Sequence, residues 1–540
     1  MFQRLLRAYI EIITARPKIT LWVAAIIVIL LTLPAKNIIL DNDFRKMVFQ
    51  GVDDVAFLDR HTEVFGPDDT ALLIVFDRGE TPLTQFAEFV ENLGNQFEDF
   101  EETLRVSSLT HTSIIQSKDD DLIISPAFGS NSLVVGDDAL RIQQLRESAG
   151  ARNLISKKDD KGFILSVTLK EEFKVAQKVI VPATKIRKMT EDAIAQSGHS
   201  ITAYYAGIPF TRVASIEGMR QDLGVLLPIV YLLVGLMTYW QFRRKHAVIL
   251  PLISIASSCA ITAGIAALIG EEITPLSVVY PLLLLVIGIG DALHFLVRYH
   301  EERLSGKNYR EAAIETSVSV GGACFLTSFT SAIGFASLCL TDMPILHGFG
   351  LLNAIGILVA FLTLLTIIPA GLSLSNSPPV PLSPLIVKGL ERPLRLITLP
   401  KVALSLSIFG ILFCAFCIFS SQNLNINYTF TKILHSAHPV SLGNAQIDER
   451  FRGISSVAIN LQGEEGSFKQ PEVLKKLDEG ISFLSEEIGA EGAFAISSVI
   501  KELNNEIRNE NEIPRTRQAV AQLLLLAEGN GTEILERVVT

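Results

Sequence analysis

The chain has 540 residues, of which 49% are hydrophobic and 19% are charged, and its mean hydropathy is +0.38. Water-soluble globular proteins usually carry about 25% charged residues, so the composition excludes an ordinary soluble chain and the apolar excess must lie in separate segments. The formal net charge of −10 is spread over the polar regions, which excludes a basic surface for nucleic acid.

Seven apolar segments are long enough to cross the hydrocarbon core as helices, which takes about 20 residues. The first is centred on Leu21 to Leu33. It follows several basic residues and precedes no small-residue cleavage site, so we interpret it as an uncleaved anchor. The other six lie near residues 223–240, 247–269, 274–297, 318–340, 348–372 and 402–420. The sequence therefore predicts a polytopic α-helical membrane protein.

Basic residues predict how these spans are oriented. They cluster between spans two and three, four and five, and six and seven, whereas the alternate loops carry none. Because cytoplasmic loops are rich in Lys and Arg, these three loops and the N-terminus are expected in the cytoplasm. The basic residues are Arg243, Arg244, Lys245, Arg298, Arg303, Lys307, Arg310, Lys388, Arg392, Arg395 and Lys401.

The domain order follows from this topology. Residues 1–40 are the cytoplasmic N-terminus and span one, 41–220 a first extracytoplasmic domain, 221–372 a five-helix bundle of spans two to six, 373–401 a cytoplasmic linker, 402–421 span seven, and 422–540 the start of a second extracytoplasmic domain. Strand-like and helix-like segments alternate near residues 71–109 and again near 163–205. This alternation predicts two β-α-β units in an α+β domain, with helices on one face of a sheet.

The region after span seven repeats the region after span one at an offset near 386 residues. Ordered matches at nearly constant spacing indicate a duplicated unit. A complete duplication would add five more spans, so we expect the chain to be the N-terminal part of a longer transporter-like protein. The matched pairs are Asn37 to Phe44 with Asn423 to Phe430, Phe65-Gly66 with Phe451 and Gly453, and Val106 to Leu109 with Ile496 to Val499.

Span four contains an ionisable group deep inside an apolar segment. Asp291 lies there, and His294 follows three residues later on the same helical face. A charged group in a span costs about 2.5–3.5 kcal/mol on insertion scales, so its presence indicates a function. We interpret the two residues as a proton relay, because a carboxylate and an imidazole can exchange a proton. The alternative is that Asp291 lies near the cytoplasmic interface and pairs with Arg298 or Arg244.

Polar residues in the neighbouring spans are candidates to support this relay. Hydroxyls in span five can both donate and accept hydrogen bonds, and span six offers an amide. The alternative is that these groups bond only to carbonyls of their own helix. Glycines in spans four and five would let a neighbouring helix approach closely. The polar candidates are Thr327, Ser328, Thr330, Ser331 and Asn353, and the glycines are Gly288, Gly290 and Gly334.

Other chemistries have no signal in the sequence. A Gly-x-x-x-x-Gly-Lys-Ser/Thr phosphate loop, a Cys/His metal spacing and a nucleophile elbow are all absent, so we predict no enzyme activity, no cofactor and no metal. The acidic run Asp119 to Asp121 lacks the spaced ligands of a calcium loop. All five cysteines lie in apolar segments, which excludes disulfides in the polar domains and is typical of a bacterial envelope protein.

The motif around Asp291 resembles the resistance-nodulation-division (RND) superfamily, and more narrowly its MMPL and Patched-like exporters. The resemblance covers the whole chain in layout and rests on Gly288-Ile-Gly-Asp291-Ala-Leu-His294-Phe295, on Arg298-Tyr-His-Glu-Glu, and on the hydroxyl-rich run Phe325 to Phe335. The family motif is Gly-x-Asp-Asp or Gly-x-Asp-Tyr. This chain has Gly290 at the first acidic position, which shifts the relay to Asp291 with His294.

This resemblance implies twelve spans in the full protein and ferredoxin-like porter domains in the periplasm of a bacterium, with the spans in the inner membrane. It further implies export of hydrophobic or amphipathic, lipid-like molecules driven by proton flow. The partners would be membrane lipids, the substrate and protons, with homo-oligomers left open. Two alternatives remain: a lipid-sensing or regulatory scaffold that does not transport, since sterol-sensing domains share the five-span bundle, and a proton-coupled accessory of protein secretion.

Overall fold

The computed structural model describes residues 2–40, 52–66, 68–118, 121–134, 136–148, 151–174, 176–375, 397, 399–422, 424, 434–454 and 457–529. Most of the predicted linker 373–401, part of the acidic run at 119–121 and all of the Asn423 to Phe430 repeat segment except Leu424 lie outside these ranges. The chain divides into two compact units. The membrane unit contains Met1–Gln50 and Glu217–Tyr428, and the polar unit contains Gly51–Ile216 and Thr429–Thr540.

Helices and strands follow one another along the described residues in this order: α1 (Phe2–Ala15), α2 (Pro17–Thr32), α3 (Val52–Phe65), β1 (Ala71–Asp77), α4 (Leu83–Glu98), β2 (Thr103–Ser107), β3 (Ser113–Lys118), β4 (Asp121–Pro126), α5 (Asp138–Glu147), β5 (Gly162–Leu169), α6 (Ala176–Ser197), β6 (Thr202–Ala206), α7 (Ile208–Phe242), α8 (Lys245–Ile269), α9 (Tyr280–Leu304), α10 (Tyr309–Ala336), α11 (Pro344–Ser373), α12 (Pro400–Ser421), α13 (Pro439–Arg450), α14 (Pro471–Glu486), α15 (Ile496–Arg508) and α16 (Arg517–Gly529).

Seven helices of the described residues are long and apolar enough to cross a bilayer, in agreement with the prediction. Spans one to seven are α2, α7, α8, α9, α10, α11 and α12. Span six is the centre of the bundle, because 67% of its most apolar window is buried whereas none of the corresponding window is buried in spans one and seven. Close helix contact depends on glycine: a Cβ on Gly356 of span six would lie 2.8 Å from the side chain of Leu284 in span four.

A four-stranded antiparallel sheet forms the centre of the polar unit, in the order β2-β5-β1-β6. The strands coincide with the predicted strand segments, and α4 and α6 connect them in the two strand-helix-strand stretches. Both helices cover one face of the sheet, where Phe76, Phe86 and Phe163 belong to a single buried cluster. Burial of these aromatic side chains stabilises the sheet, since each removes about 150–250 Å² from water.

The opposite face of the sheet is covered in part by α13, which follows span seven in the sequence. Ile447 and Phe451 pack against Val75, Ile164 and Ala206. The helix lies so close to β6 that a Cβ on Gly443 would be 2.1 Å from the carbonyl oxygen of Tyr205. Residues expected to begin a second domain thus belong to the same compact unit as residues 51–216.

The repeat inferred from the sequence is matched by structure in one place and not in another. Phe65 ends α3 and Phe451 directly follows α13, and Gly66 and Gly453 just beyond have φ of +84° and +90°. Val106, however, lies in strand β2, whereas its partner Ile496 begins helix α15. Apolar residues of α15 at helical spacing pack on α14, α16 and the β3-β4 hairpin, and this packing favours helix there.

Candidate functional site

Asp291 lies in the middle of span four and contacts span five. Ser328 Oγ donates a hydrogen bond of 3.0 Å to Asp291 Oδ2. Ser328 is buried and Asp291 is half-buried. The side chains of Cys324 and Thr327 also interact with this carboxylate. The carboxyl group is therefore held by side chains of a neighbouring helix, within two apolar spans.

The basic residue nearest in sequence does not neutralise Asp291. Arg298 forms ion pairs with Glu301 at 3.0 Å and with Glu302 at 2.6 Å, both on its own helix. Lys307 adds a third ion pair, to Glu302, at 2.6 Å. Among the described residues Asp291 has no ion pair with a lysine or arginine, so the alternative pairing with Arg298 is not formed.

His294 lies one turn beyond Asp291 towards the C-terminal end of span four. Its side chain is exposed on the membrane unit. It interacts electrostatically with Asp291, but the described residues show no hydrogen bond to its ring. The predicted relay pair thus lies on one side of the helix, with an electrostatic interaction but no hydrogen bond between the two side chains among the described residues.

Of the span-five hydroxyls, Ser328 is the one hydrogen-bonded to Asp291 in the described part of the chain. Thr327 donates to the carbonyl of Cys324 at 3.0 Å, and Thr330 donates to Leu326 at 2.9 Å. Thr330 fits the alternative interpretation, because it is turned by about 200° from Ser328 around the helix. Thr327 is turned by about 100°, and it bonds to its own helix and also interacts with Asp291. Ser331 is half-buried one turn beyond Ser328 and has no hydrogen bond among the described residues.

Asn353 is fully buried in span six. Its Nδ2 donates to the carbonyl of Phe349 at 2.8 Å, whereas its Oδ1 has no partner in the described residues. A buried acceptor without a partner destabilises the folded state by about 1–3 kcal/mol. Native proteins keep few such groups, so each one calls for an explanation. Its polar contact is with its own helix, and in this part of the chain no hydrogen bond joins it to Asp291.

The three predicted glycines differ in what surrounds them. A Cβ on Gly288 would lie 3.0 Å from the side chain of Ile255, so this glycine allows span four to approach span three. Gly290 and Gly334 have no atom within 4 Å of such a Cβ among the described residues. They therefore do not mediate helix contact there, because both point away from the helices packed around them.

Two polar features of the bundle were not predicted from the sequence. Ser254, Ser258 and Thr262 of span three are fully buried, and Ser254 Oγ donates to Thr363 Oγ1 of span six at 3.4 Å. Their spacing of four residues in an apolar segment was the signal that could have found them. At the C-terminal end of span four, His300 is buried, and its ring lies 5.3 Å from that of Phe242.

The polar unit contains a cavity of about 990 Å³ over the sheet face that α13 leaves uncovered. Strands β1, β2 and β5 contribute small, hydroxyl, apolar and charged side chains to its lining, and the residues that follow α13 and α14 contribute mainly apolar and charged ones. Its size and mixed lining suit an amphipathic molecule. The lining includes Ala71, Ser107, Ser166 and Thr168, then Leu73, Ile164, Phe451, Val457, Ile488 and Phe494, and finally Arg105, Lys157, Asp448, Arg452 and Glu491.

These features define a multi-pass membrane protein with a large polar unit encoded between spans one and two and after span seven. The MMPL family model matches residues 56–378, and the chain belongs to the MMPL family. The resemblance to RND exporters that the span-four motif suggested is thereby confirmed.

Three named proteins illustrate what the chain is similar to. A putative membrane protein of Methanocaldococcus jannaschii is 30% identical over 167 residues, which is 30% of this chain and 42% of that protein. The sulfolipid-1 exporter MmpL8 of Mycobacterium tuberculosis is 25% identical over 333 residues, 58% of this chain and 29% of the exporter. The hopanoid transporter HpnN of Burkholderia multivorans is 28% identical over 159 residues, 29% of this chain and 18% of the transporter. The chain spans less than half the length of each.

Proposed function

We propose that the chain is part of a proton-driven exporter of lipid-like, amphipathic molecules in the inner membrane of a bacterium, with the polar unit in the periplasm. The observation that carries the proposal is the hydrogen bond from Ser328 of span five to Asp291 of span four. It links an ionisable group inside apolar helices to a second helix, and it leaves the carboxylate without a basic partner among the described residues. Such a group can take up and release a proton as part of a transport cycle.

Protonation of Asp291 would change the contact between spans four and five. The ionised carboxylate can only accept hydrogen bonds, whereas the protonated form also donates one, so the bonding of Ser328 changes with each proton bound. Each proton that crosses a potential of 100 mV supplies about 2.3 kcal/mol, enough to bias two states of similar energy. His294 would pass protons between Asp291 and the cytoplasmic side, and Ser331 and Asn353 would support the path from the outer side.

The substrate class rests on two supports. Relatives of the chain are named as exporters of sulfolipid-1 and as transporters of hopanoids. In the polar unit, the cavity over the sheet is lined by hydroxyl, charged and apolar side chains. An amphipathic lipid could place its headgroup against the polar groups and its hydrocarbon against the apolar ones. This porter-like role accords with a sheet of ferredoxin-like strand order.

The test compares Asp291→Asn with Asp342→Asn in the whole protein that contains this chain. Asp342 is an exposed carboxylate in the loop between spans five and six. Its replacement by Asn removes the same charge at a position away from the site. With the protein in vesicles carrying an imposed pH gradient, export of a fluorescent lipid and proton movement are measured together. We expect Asp291→Asn to abolish both and Asp342→Asn to leave both intact.

Three outcomes would contradict the proposal. Wild-type export by the Asp291→Asn variant would remove this residue from energy coupling. Lipid binding without any flux in the wild type would favour the lipid-sensing scaffold instead. Crosslinking of the polar unit to nascent polypeptide rather than lipid would favour the secretion accessory.

A further inference from the structure

The helix that precedes span one has three sides of different chemistry. On the first side, Leu6, Ile10 and Ile13 of α1 are buried against Cys324, Phe361 and Leu365 of spans five and six. Their spacing of four and three residues forms one stripe of the helix. A Cβ on Gly321 would lie 3.0 Å from Leu6, so span five provides a small residue where α1 packs.

Polar contacts fix α1 to the same two spans. Arg7 forms an ion pair of 2.9 Å with Glu315, and Tyr9 shares a hydrogen bond of 2.6 Å with Thr366. Arg310 donates to the carbonyl of Glu11 at 3.4 Å. These partners lie in the first third of span five and the last third of span six, so α1 packs at the end of the bundle that carries the basic loops.

The second side of α1 is apolar but has no protein against it in the described part of the chain. Leu5 is 62% exposed and Ile12 is 72% exposed. They lie seven residues apart, which is two turns, and form a stripe turned by roughly 100° from the buried one. The bend at Arg16 and Pro17 connects α1 directly to the membrane-crossing helix α2, so this stripe is continuous with a surface that faces lipid.

Unpaired cations lie next to this exposed stripe. Arg4, Arg16 and Lys18 are all exposed and form no ion pair among the described residues. Glu11 is the only acidic residue in the first 18 of the sequence. A helix with an apolar stripe, neighbouring cations and a polar third side has the pattern of helices that lie in the membrane interface.

We propose that α1 is an interfacial helix that binds acidic phospholipids of the cytoplasmic leaflet. Leu5 and Ile12 enter the upper acyl region, and Arg4, Arg16 and Lys18 contact the negatively charged headgroups. The site is independent of proton-driven export: it rests on the contacts of α1, and the leaflet follows from the basic loops at the same end of the bundle. Because α1 is packed on spans five and six, lipid bound to α1 would also affect these two spans.

The experiment places a single tryptophan on α1 in the full chain. The two native tryptophans, Trp22 and Trp240, are exposed in spans one and two and are replaced by phenylalanine. Ile12→Trp then reports the proposed lipid side, and Glu11→Trp reports the third, polar side as a matched control. Each variant is reconstituted in vesicles that contain a small equal fraction of phosphatidylcholine or phosphatidylglycerol brominated in the upper acyl chain.

We expect the fluorescence of the Ile12→Trp variant to be quenched by both brominated lipids and protected from aqueous iodide. Quenching by phosphatidylglycerol should exceed that by phosphatidylcholine by about three- to fivefold, because each juxtamembrane cation attracts acidic lipid. The Glu11→Trp variant should respond to iodide instead. The stronger quenching by phosphatidylglycerol should disappear in the triple variant Arg4→Gln/Arg16→Gln/Lys18→Gln. It should remain in a control that loses the same number of exposed charges in α14 and α15, Lys475→Gln/Lys476→Gln/Arg508→Gln.

Two results would overturn the proposal. If iodide quenches the Ile12→Trp variant as strongly as the Glu11→Trp variant, the exposed stripe does not enter lipid. If the two brominated lipids quench equally, α1 has no preference for acidic headgroups. Leu5→Trp, on the same stripe two turns away, gives an independent measurement should Ile12→Trp fail to fold.

Discussion

Ser328 donates its hydroxyl hydrogen to Asp291 across the interface between spans four and five, at 3.0 Å. A hydrogen bond to a charged group contributes about 1.5–3 kcal/mol, so Ser328→Ala should lower proton-coupled export by about tenfold or more. Thr330→Ala is the matched control, because Thr330 bonds carbonyls of its own helix. Export assays in vesicles with an imposed pH gradient check the difference. Equal rates for the two variants would show that the bond does not serve transport.

Gly443 predicts a second measurable effect, on the polar unit. Gly443→Ala would place a Cβ 2.1 Å from the carbonyl oxygen of Tyr205 and force α13 away from β6. Such overpacking costs about 1–3 kcal/mol. Gly480→Ala in α14 has no neighbour within 4 Å among the described residues and should stabilise the helix slightly, since alanine is the better helix former. Hydrogen exchange of β1 and β6 checks the difference, and unchanged protection in Gly443→Ala would contradict the packing.

Arg450 joins α13 to two loops of the sheet. It forms ion pairs of 2.7 Å with Asp77 and 2.9 Å with Asp159. Burial opposes ionisation of Asp159, but hydrogen bonds from Arg450 and from backbone amides outweigh it and lower the pKa of this carboxyl. Arg450→Met should lower the free energy of unfolding by about 2 kcal/mol. This is less than the loss of a partner from a fully buried ion pair, because Asp159 is partly exposed.

The stability contributed by the ion pair of Asp159 should depend on pH in one direction. The folded state holds this carboxyl at a pKa below 3.8, so the contribution is complete above that pH and is lost as the pH falls through the folded-state pKa. Urea unfolding of the wild type and of Arg450→Met at about pH 7 and about pH 3 measures it. The difference in unfolding free energy between the wild type and Arg450→Met should be smaller at the lower pH. An equal difference at both pH values would argue against the charge interaction.

His111 should make the polar unit sensitive to mild acid. Burial lowers the pKa of His111 below 6.5, and nearby Glu98 and Glu91 only partly oppose this. Its Nδ1 lies 2.7 Å from Ser108 Oγ, and its Nε2 lies 3.2 Å from Asn95 Oδ1. The unfolded chain therefore binds the proton first, and stability falls as the pH drops from 6.5 through the folded-state pKa. The free energy of unfolding, measured at about pH 7.5 and about pH 5.5, should fall in the wild type. The fall should be smaller in the His111→Asn variant.

The spans and the position of Asp291 were predictable because both are local. A run of about twenty apolar residues that contains one carboxylate can be recognised from the sequence alone, and so can alternating strand and helix segments. Which hydroxyl contacts the carboxylate was not predictable, because Ser328 and Thr330 differ only in angle around one helix. The docking of α13 on the sheet was equally hidden, since it joins segments more than 200 residues apart through shape at Gly443 rather than through a sequence motif.

Because α13 covers strands that end at Ala206, one face of the sheet stays partly uncovered when those strands are made. About 230 residues separate Ala206 from Pro439, a delay on the order of 10–50 s at typical rates of translation. During that interval Val75 and Ile164 lack the cover that Ile447 and Phe451 provide in the finished fold. Burial of this face of the sheet therefore waits for a short helix that the sequence places after span seven.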